Sequence, residues 1–223
     1  MIKLIVFDMA GTTIDENNVV YKTLQNVINK AGYDFSLEMV LKHGAGKEKL
    51  QAIKDIIGIL KTDDVVEKES TSIFADFSEL LKKNYEKLSV KTFPDTEKLF
   101  QELKNRNIKI VLNTGYDRKT ALLLLSKLKW IEGTQYDALI TASDVEESRP
   151  KPAMIYKAME IFNIKNSKDV MKVGDSIIDI EEGKAANCGI TVGVTTGAHT
   201  IEQLQSATPT YIMNSLLEIL EVI

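Results

Sequence analysis

The second half of the chain alternates short apolar runs with amphipathic stretches, and this alternation most strongly limits how such a chain can fold. The apolar runs have the length of strands, whereas the stretches between them carry apolar residues at the three- and four-residue spacing of helices. Alternating strands and helices favour a parallel sheet with helices on both faces. The sequence predicts strands at 108–114, 138–142, 170–173 and 190–195, and helices that include 96–106, 119–128 and 153–162.

The first part of the chain adds one strand and then a long helical segment. Residues 2–7, IKLIVF, have the pattern of a buried strand, which Asp8 ends. Residues 19–88 show helical patterns and no convincing strand. We therefore predict an α/β fold, a doubly wound, Rossmann-like parallel-sheet core with a small all-helical cap domain inserted after the first strand. The predicted core comprises residues 1–14 and 92–223 and the predicted cap residues 15–91, with hinges near 14–18 and 89–93 that would let the cap act as a lid.

Composition excludes several classes of function. With 223 residues, 44% of them hydrophobic, the chain can bury a sizeable core. The net charge is −4 and basic residues are interspersed with acidic ones, so we expect no nucleic-acid partner. The single cysteine, Cys188, allows no internal disulfide, and no apolar run is long enough to span a membrane. These features, with no signal-peptide pattern, predict a cytoplasmic protein without a membrane partner, either a monomer or a homodimer.

Polar residues that follow the predicted strands are the candidates for the functional site, because ligands of an open parallel sheet bind at the carboxyl ends of its strands. Small residues and hydroxyls after the first strand leave space for an anion to approach the backbone. A cation is available from Arg149 or Lys151 in SRPKP. The candidates are Asp8, Ala10, Thr12, Thr114, Gly115, Arg149, Asp175 and Asp179.

This set of side chains suits transfer of a phosphoryl group to an aspartate with the help of a divalent metal. A carboxylate about 4 Å from a phosphoryl dianion meets a repulsion of roughly 8 kcal/mol at an effective dielectric constant of 20. Mg²⁺ together with Arg149 would offset this repulsion. Asp175 directly follows a strand and is the better metal ligand. Asp179 lies one helical turn later, where it would bind the metal, bind it through water, or orient its neighbours.

Four segments resemble the signature loops of the haloacid dehalogenase superfamily, and more narrowly of its phosphonatase (phosphonoacetaldehyde hydrolase) branch: DMAGTTID, NTGYDR, SRPKP and VGDSIID. By position, the resemblance implies that Asp8 is the nucleophile and that the Ala10 carbonyl and Asp175 hold Mg²⁺. It implies further that Thr114 and Arg149 bind phosphate. Dehalogenases of this superfamily lack the metal-binding acid, so Asp175 argues against halide chemistry.

Ala10 distinguishes this chain from the phosphatases of the superfamily, which carry there a second aspartate that protonates the departing alkoxide. Loss of such a general acid lowers rates about 10²- to 10⁴-fold. In phosphonatases a cap lysine instead forms an imine with the substrate aldehyde, and the leaving group is an enamine. The resemblance therefore implies a small phosphonate substrate such as phosphonoacetaldehyde.

The segment HGAGKEKLQAI supplies two lysines for this role, and both are predicted in the first turn of a helix, against its dipole. Lys49 shares a face with apolar residues at helical spacing, whereas Lys47 shares one with Lys54, so Lys49 is the lysine that we expect to be desolvated. It also matches the family's G-x-x-K cap pattern. Two residues depart from this family pattern: Ala45 replaces a methionine, and Ala52 replaces a histidine. These departures count against phosphonoacetaldehyde as the substrate more than they count against an imine mechanism.

Two other functions stay open at this point. A phosphomonoesterase acting on a small phosphorylated metabolite would take its leaving-group proton from the cap, the substrate or water. A phosphoacceptor module that is modified on Asp8 but turns over slowly would resemble receiver domains, which also combine aspartates, a threonine and a cation. Those domains have only about 120 residues and no helical insertion after the first strand.

Overall fold

A computed structural model describes residues 1–223 and confirms the predicted α/β fold. Six parallel strands form one sheet in the order β5-β4-β1-β6-β7-β8, and two short strands, β2 and β3, form an antiparallel pair. The strands are β1 Leu4–Asp8, β2 Ile14–Asp15, β3 Lys91–Thr92, β4 Lys109–Thr114, β5 Ala138–Thr141, β6 Val170–Gly174, β7 Ile190–Val194 and β8 Tyr211–Met213. The helices are α1 Val19–Lys30, α2 Leu37–Gly44, α3 Lys49–Ile57, α4 Asp63–Lys87, α5 Thr96–Asn105, α6 Arg118–Leu128, α7 Ala153–Ile161, α8 Ile177–Ala185 and α9 Ile201–Ser206.

Strand β1 lies near the middle of the sheet and is buried along its whole length. Its side chains alternate between two hydrophobic clusters, with Ile5 and Phe7 in one and Leu4 and Val6 in the other. This alternation follows from the two-residue period of a strand. Both faces of the sheet are therefore covered, as expected of a parallel sheet.

The four helices α1 to α4 occupy residues 19–87, between β2 and β3, and we call them the helical insertion. Each presents an apolar stripe to the others; in α1 the stripe includes Val20, Leu24 and Ile28. The insertion enters and leaves through the paired strands β2 and β3, where Ile14 lies opposite Thr92. The bounds predicted for two domains and a lid movement between them stay predictions.

The structure corrects one local prediction and adds three strands. Helix α3 begins at Lys49, because the Glu48 side chain caps it by accepting the backbone N–H groups of Leu50 and Gln51. Lys47 therefore lies before the helix, and its predicted place in the first turn is wrong.

Strands β2, β3 and β8 are too short to give a readable pattern in the sequence.

None of the nine helices has both the length and the apolar composition that a membrane span requires.

Candidate active site

The sheet brings three predicted residues together at the carboxyl ends of neighbouring strands. Asp8 ends β1, Thr114 ends the adjacent strand β4, and Asp175 follows β6 on the other side of β1. The loop after β5 brings Arg149 to the same edge, where its side chain is fully buried. Lys151 is exposed, so the cation at this edge is Arg149.

Arg149 connects two of the acidic side chains. Its Nη2 donates to Oδ1 of Asp8 at 2.7 Å, and its Nη1 donates to Oδ1 of Asp179 at 2.5 Å. Burial raises the pKa of Asp8, although Arg149 opposes this effect. Burial alone would also raise the pKa of Asp179, but Lys172 and Arg149 lower it. Asp179 is thus held as a carboxylate by two cations, and it anchors Arg149 beside Asp8.

Asp175 has a different environment from Asp179. Its two oxygens accept the Thr12 hydroxyl at 3.0 Å and the Ala198 backbone N–H at 2.6 Å, both from neutral groups. Burial, with Asp8 and Asp179 nearby, raises its pKa to about 8. Asp175 therefore lacks a direct cationic partner.

The three aspartates form a buried cluster that fits a metal ion. One oxygen from each of Asp8, Asp175 and Asp179 lies within 4.8 Å of the others. Hard divalent cations prefer such oxygen ligands. A cation here would also lower the raised pKa of Asp175, because it would stabilise the carboxylate form. Both oxygens of Asp179 are already bound, to Arg149, Lys172 and Ser176. Asp8 and Asp175 therefore have the greater capacity to bind a metal.

Glycine is required where the backbone passes Asp175. Gly11 has φ +88°, and a Cβ placed on it would lie 2.3 Å from Oδ2 of Asp175. A Cβ on Gly197 would lie 2.0 Å from the same oxygen. Both contacts are far shorter than any Cβ allows, so the DMAG turn needs its glycine to admit this carboxyl group.

Seven of the nine predicted residues line one small pocket of about 10 Å³ at this edge of the sheet. The other two lie outside its lining: Thr12 hydrogen-bonds Asp175, and Asp179 hydrogen-bonds Arg149. The Thr114 hydroxyl accepts the backbone N–H of Tyr116 at 3.2 Å. The pocket-lining residues of the prediction are Asp8, Ala10, Lys49, Thr114, Gly115, Arg149 and Asp175.

Lys49 reaches the pocket from the helical insertion. It is only 6% exposed, and its amine lies over the rings of Tyr21 and Tyr116, at 5.1 and 5.2 Å from their centres. The amine donates to the Lys47 carbonyl at 2.5 Å. Burial, helped by Arg149, lowers the pKa of Lys49 to about 8. Lys47 instead pairs with Asp55. The expectation that Lys49 is the desolvated lysine agrees with this geometry.

Sequence reasoning missed a buried network behind Asp179. The Lys172 amine lies 2.9 Å from Asp179, 2.6 Å from the Asn113 amide oxygen and 3.3 Å from Glu182. Glu182 in turn accepts the Asn113 side-chain amide at 3.0 Å. The available signal was a lysine inside the apolar strand MKVG, since a lysine buried in a strand requires acidic partners.

Comparison with known proteins identifies the family. The model of the haloacid dehalogenase-like hydrolase family matches residues 5–193. This chain belongs to that family. The family match agrees with the resemblance seen in its four signature loops, and it makes the chain an enzyme of the hydrolase class.

Curated relatives of this hydrolase include phosphonatases. It is 29% identical over 205 residues to the phosphonoacetaldehyde hydrolase of Latilactobacillus sakei, covering 86% of this chain and 75% of that protein. It is 27% identical over 192 residues to the bifunctional phosphonoacetaldehyde hydrolase/aminoethylphosphonate transaminase of Clostridioides difficile. That match covers 82% of this chain but only 30% of the bifunctional protein's length.

Solved structures show the same fold. A phosphonoacetaldehyde hydrolase-like protein from Oleispira antarctica superposes with a TM-score of 0.84 at 21% identity, covering 99% of this chain and 91% of that one. A hydrolase from Pseudomonas syringae superposes with a TM-score of 0.81 at 18% identity, covering 98% of this chain and 96% of the other. At these identities the likeness concerns the fold alone.

Proposed function

We propose that this hydrolase cleaves the carbon–phosphorus bond of a small phosphonate that carries a carbonyl group β to phosphorus. The observation that carries the proposal is the shared pocket of Asp8 and Lys49, a nucleophile for phosphorus and a buried amine for the carbonyl. Ala10 stands where phosphatases of the family have an acid, which favours a leaving group that needs no proton from that position. Curated relatives named phosphonoacetaldehyde hydrolase, at 27 to 29% identity, support the same substrate class.

Lys49 begins the reaction as a neutral amine. Its pKa of about 8 leaves a useful fraction unprotonated near neutral pH. The amine adds to the substrate carbonyl, and loss of water gives an imine that becomes cationic when protonated. The rings of Tyr21 and Tyr116 face the same nitrogen and favour its cationic form.

Asp8 then attacks phosphorus and forms an aspartyl-phosphate. As the new O–P bond forms, the electron pair of the C–P bond moves into the cationic imine, which becomes a neutral enamine on Lys49. Arg149, already 2.7 Å from Asp8, stabilises the charge on the transferring group, and the Thr114 hydroxyl and Gly115 backbone lie beside it. Mg²⁺ held by Asp8, Asp175 and the Ala10 carbonyl would supply further positive charge against the repulsion between Asp8 and the phosphonate.

Two hydrolyses complete the cycle. Water cleaves the aspartyl-phosphate, which releases inorganic phosphate and restores Asp8. The enamine takes up a proton on carbon and water then hydrolyses the imine, which releases the aldehyde or ketone and restores Lys49. The net reaction consumes one water molecule and cleaves one C–P bond.

The buried network behind Asp179 keeps the guanidinium of Arg149 in place. Asp179 binds Nη1 at 2.5 Å and is itself held by Lys172 and Ser176. Asp179 is therefore a positioning residue for Arg149, and Lys172 and Ser176 act on Arg149 only through Asp179.

Borohydride trapping tests the imine. With phosphonoacetaldehyde present, we expect reduction to attach the two-carbon fragment to Lys49 and to stop phosphate release. Lys49→Gln should lose both the adduct and the activity, whereas the matched variant Lys47→Gln, two residues away, should keep them.

Other outcomes separate the alternatives. Unchanged turnover of phosphate esters in Lys49→Gln, with no borohydride adduct, would assign the pocket to a phosphomonoesterase. A single equivalent of phosphate bound to Asp8 without steady release would indicate a phosphoacceptor module. Asp8→Asn should abolish phosphate release in either enzyme, and measurable turnover in that variant would remove Asp8 as the nucleophile.

A further inference from the structure

A second, larger cavity adjoins the pocket that contains Asp8. It encloses about 320 Å³ between helix α4 of the helical insertion and the start of α6 beside the sheet. Lys49, Gly115 and Tyr116 line both spaces. The two spaces therefore adjoin at Lys49 and at the residues that follow the strand end at Thr114.

Volume separates the roles of the two spaces. The pocket at Asp8 measures about 10 Å³, which is close to the room that a single water molecule needs. The larger cavity, at about 320 Å³, lies within the range of ordinary small-molecule sites. An apolar cavity of about 150 Å³ is enough to hold benzene. The larger cavity therefore has room for a ring-sized group beyond a carbonyl at Lys49, whereas a phosphonate fits at Asp8 only after the side chains around that pocket move.

The lining of the larger cavity is mainly apolar. Phe74, Phe77 and Leu81 line it from α4, and Leu123 lines it from α6. Phe77 and Leu81 are buried, so a ligand here would rest on surface that is already shielded from water. Charged groups, among them Lys82 and Lys119, line it as well and are exposed. This lining is suited to an aromatic or branched aliphatic group.

Tyr85 and Tyr116 add two aromatic side chains to the wall of the cavity. They line it and are only 1% and 4% exposed, and their hydroxyl oxygens are buried away from its open space. Both residues therefore extend the apolar part of the lining.

We propose that this cavity binds the organic part of the substrate, and that the substrate is a β-oxo phosphonate with an aromatic or branched aliphatic group. The proposal rests on the proposed function, since it extends the same site beyond the carbonyl.

Binding of acetophenone, the product expected from phenacylphosphonate, tests the cavity without requiring catalysis. Ser78 lines the cavity from the exposed side of α4, and Ser78→Phe fills it. Ser72→Phe, on an exposed position of the same helix outside the cavity, is the matched control. By calorimetry we expect acetophenone to bind the unmodified protein and Ser72→Phe alike. In Ser78→Phe its affinity should fall by about tenfold or more, the scale at which apolar pockets discriminate shape.

Kinetics then separate this proposal from the proposed function. Ser78→Phe should lower kcat/KM for phenacylphosphonate far more than for phosphonoacetaldehyde, whereas Ser72→Phe should change neither. Acetophenone binding that depends on Ser78, without cleavage of either phosphonate, would support the cavity and refute the proposed reaction. Undetectable acetophenone binding, or binding that survives Ser78→Phe, would overturn the cavity proposal even if phosphonoacetaldehyde is cleaved.

Discussion

Glu16 is the acid for which the structure makes the sharpest stability prediction. It follows β2, is only 2% exposed, and accepts the Val20 backbone N–H at 3.3 Å. Burial raises the pKa of Glu16 to about 8, from an unperturbed value of 4.5. The folded state therefore keeps a proton on Glu16 at pH values where the unfolded chain has released it.

This difference sets the direction of the pH dependence. Because the folded state binds more protons between the two pKa values, stability falls as the pH rises from about 4.5 to about 8. The stabilising contribution of the protonated carboxyl is fully present below that window and lost above it. At about 1.4 kcal/mol per pH unit, the loss between pH 5 and pH 8 is roughly 3 to 4 kcal/mol.

Glu16→Gln removes the titration and keeps an oxygen that can accept the Val20 N–H. We expect the variant and the unmodified protein to have similar free energies of unfolding at pH 5, and the variant to be more stable by about 3 kcal/mol at pH 8. Urea unfolding at a series of pH values measures this difference, and other titrating groups, such as Asp175, largely cancel in it. Glu86→Gln, on an exposed position of α4, is the control and should show no such divergence. Parallel stability curves for Glu16→Gln and the unmodified protein would refute the assigned burial of this carboxyl.

Three further predictions concern the acidic cluster and the core. Mg²⁺ should raise the Tm of the unmodified protein near pH 7 but not that of Asp175→Asn, as measured by thermal unfolding; an equal rise in both would place the ion elsewhere. Gly197→Ala puts a Cβ 2.0 Å from Asp175 and should raise the Mg²⁺ concentration needed for half-maximal activity; an unchanged requirement would contradict this contact. Phe7→Ala removes a fully buried ring whose centre lies 5.2 Å from the centre of the Phe100 ring. It should lower the free energy of unfolding by about 3 to 5 kcal/mol. A loss below about 1 kcal/mol in urea unfolding would contradict this packing.

Several features could be predicted from the sequence because their signals are local. A buried strand such as β1 shows as a short apolar run, and the helices show as three- and four-residue periodicity. The topology of a parallel sheet then places the residues that follow its strands at one edge, which is why the sequence alone groups Asp8, Thr114 and Asp175.

Other features depend on contacts between distant segments and left little or no local signal. The side chain of Lys172 points away from solvent inside β6, and its partner Glu182 lies on α8. Glu48 ends the loop before α3 as a cap, so the first turn contains Lys49 without Lys47. The burial of Glu16 likewise depends on distant segments, because Lys49, Tyr85 and Tyr116 all lie near enough to interact with its carboxyl group.

The sequence by itself determined the fold class, the edge of the sheet where the chemistry belongs, and the types of side chain placed there, since all three follow from periodicity and from residues adjacent along the chain. Only the tertiary structure decided that, of the two acids after β6, Asp179 pairs with cations and Asp175 has no cationic partner. It also decided that Lys49 is buried between two aromatic rings and that a cavity opens beyond it. Charge pairing, desolvation and empty volume depend on distances between elements far apart in the chain, and these distances exist only after the elements have packed.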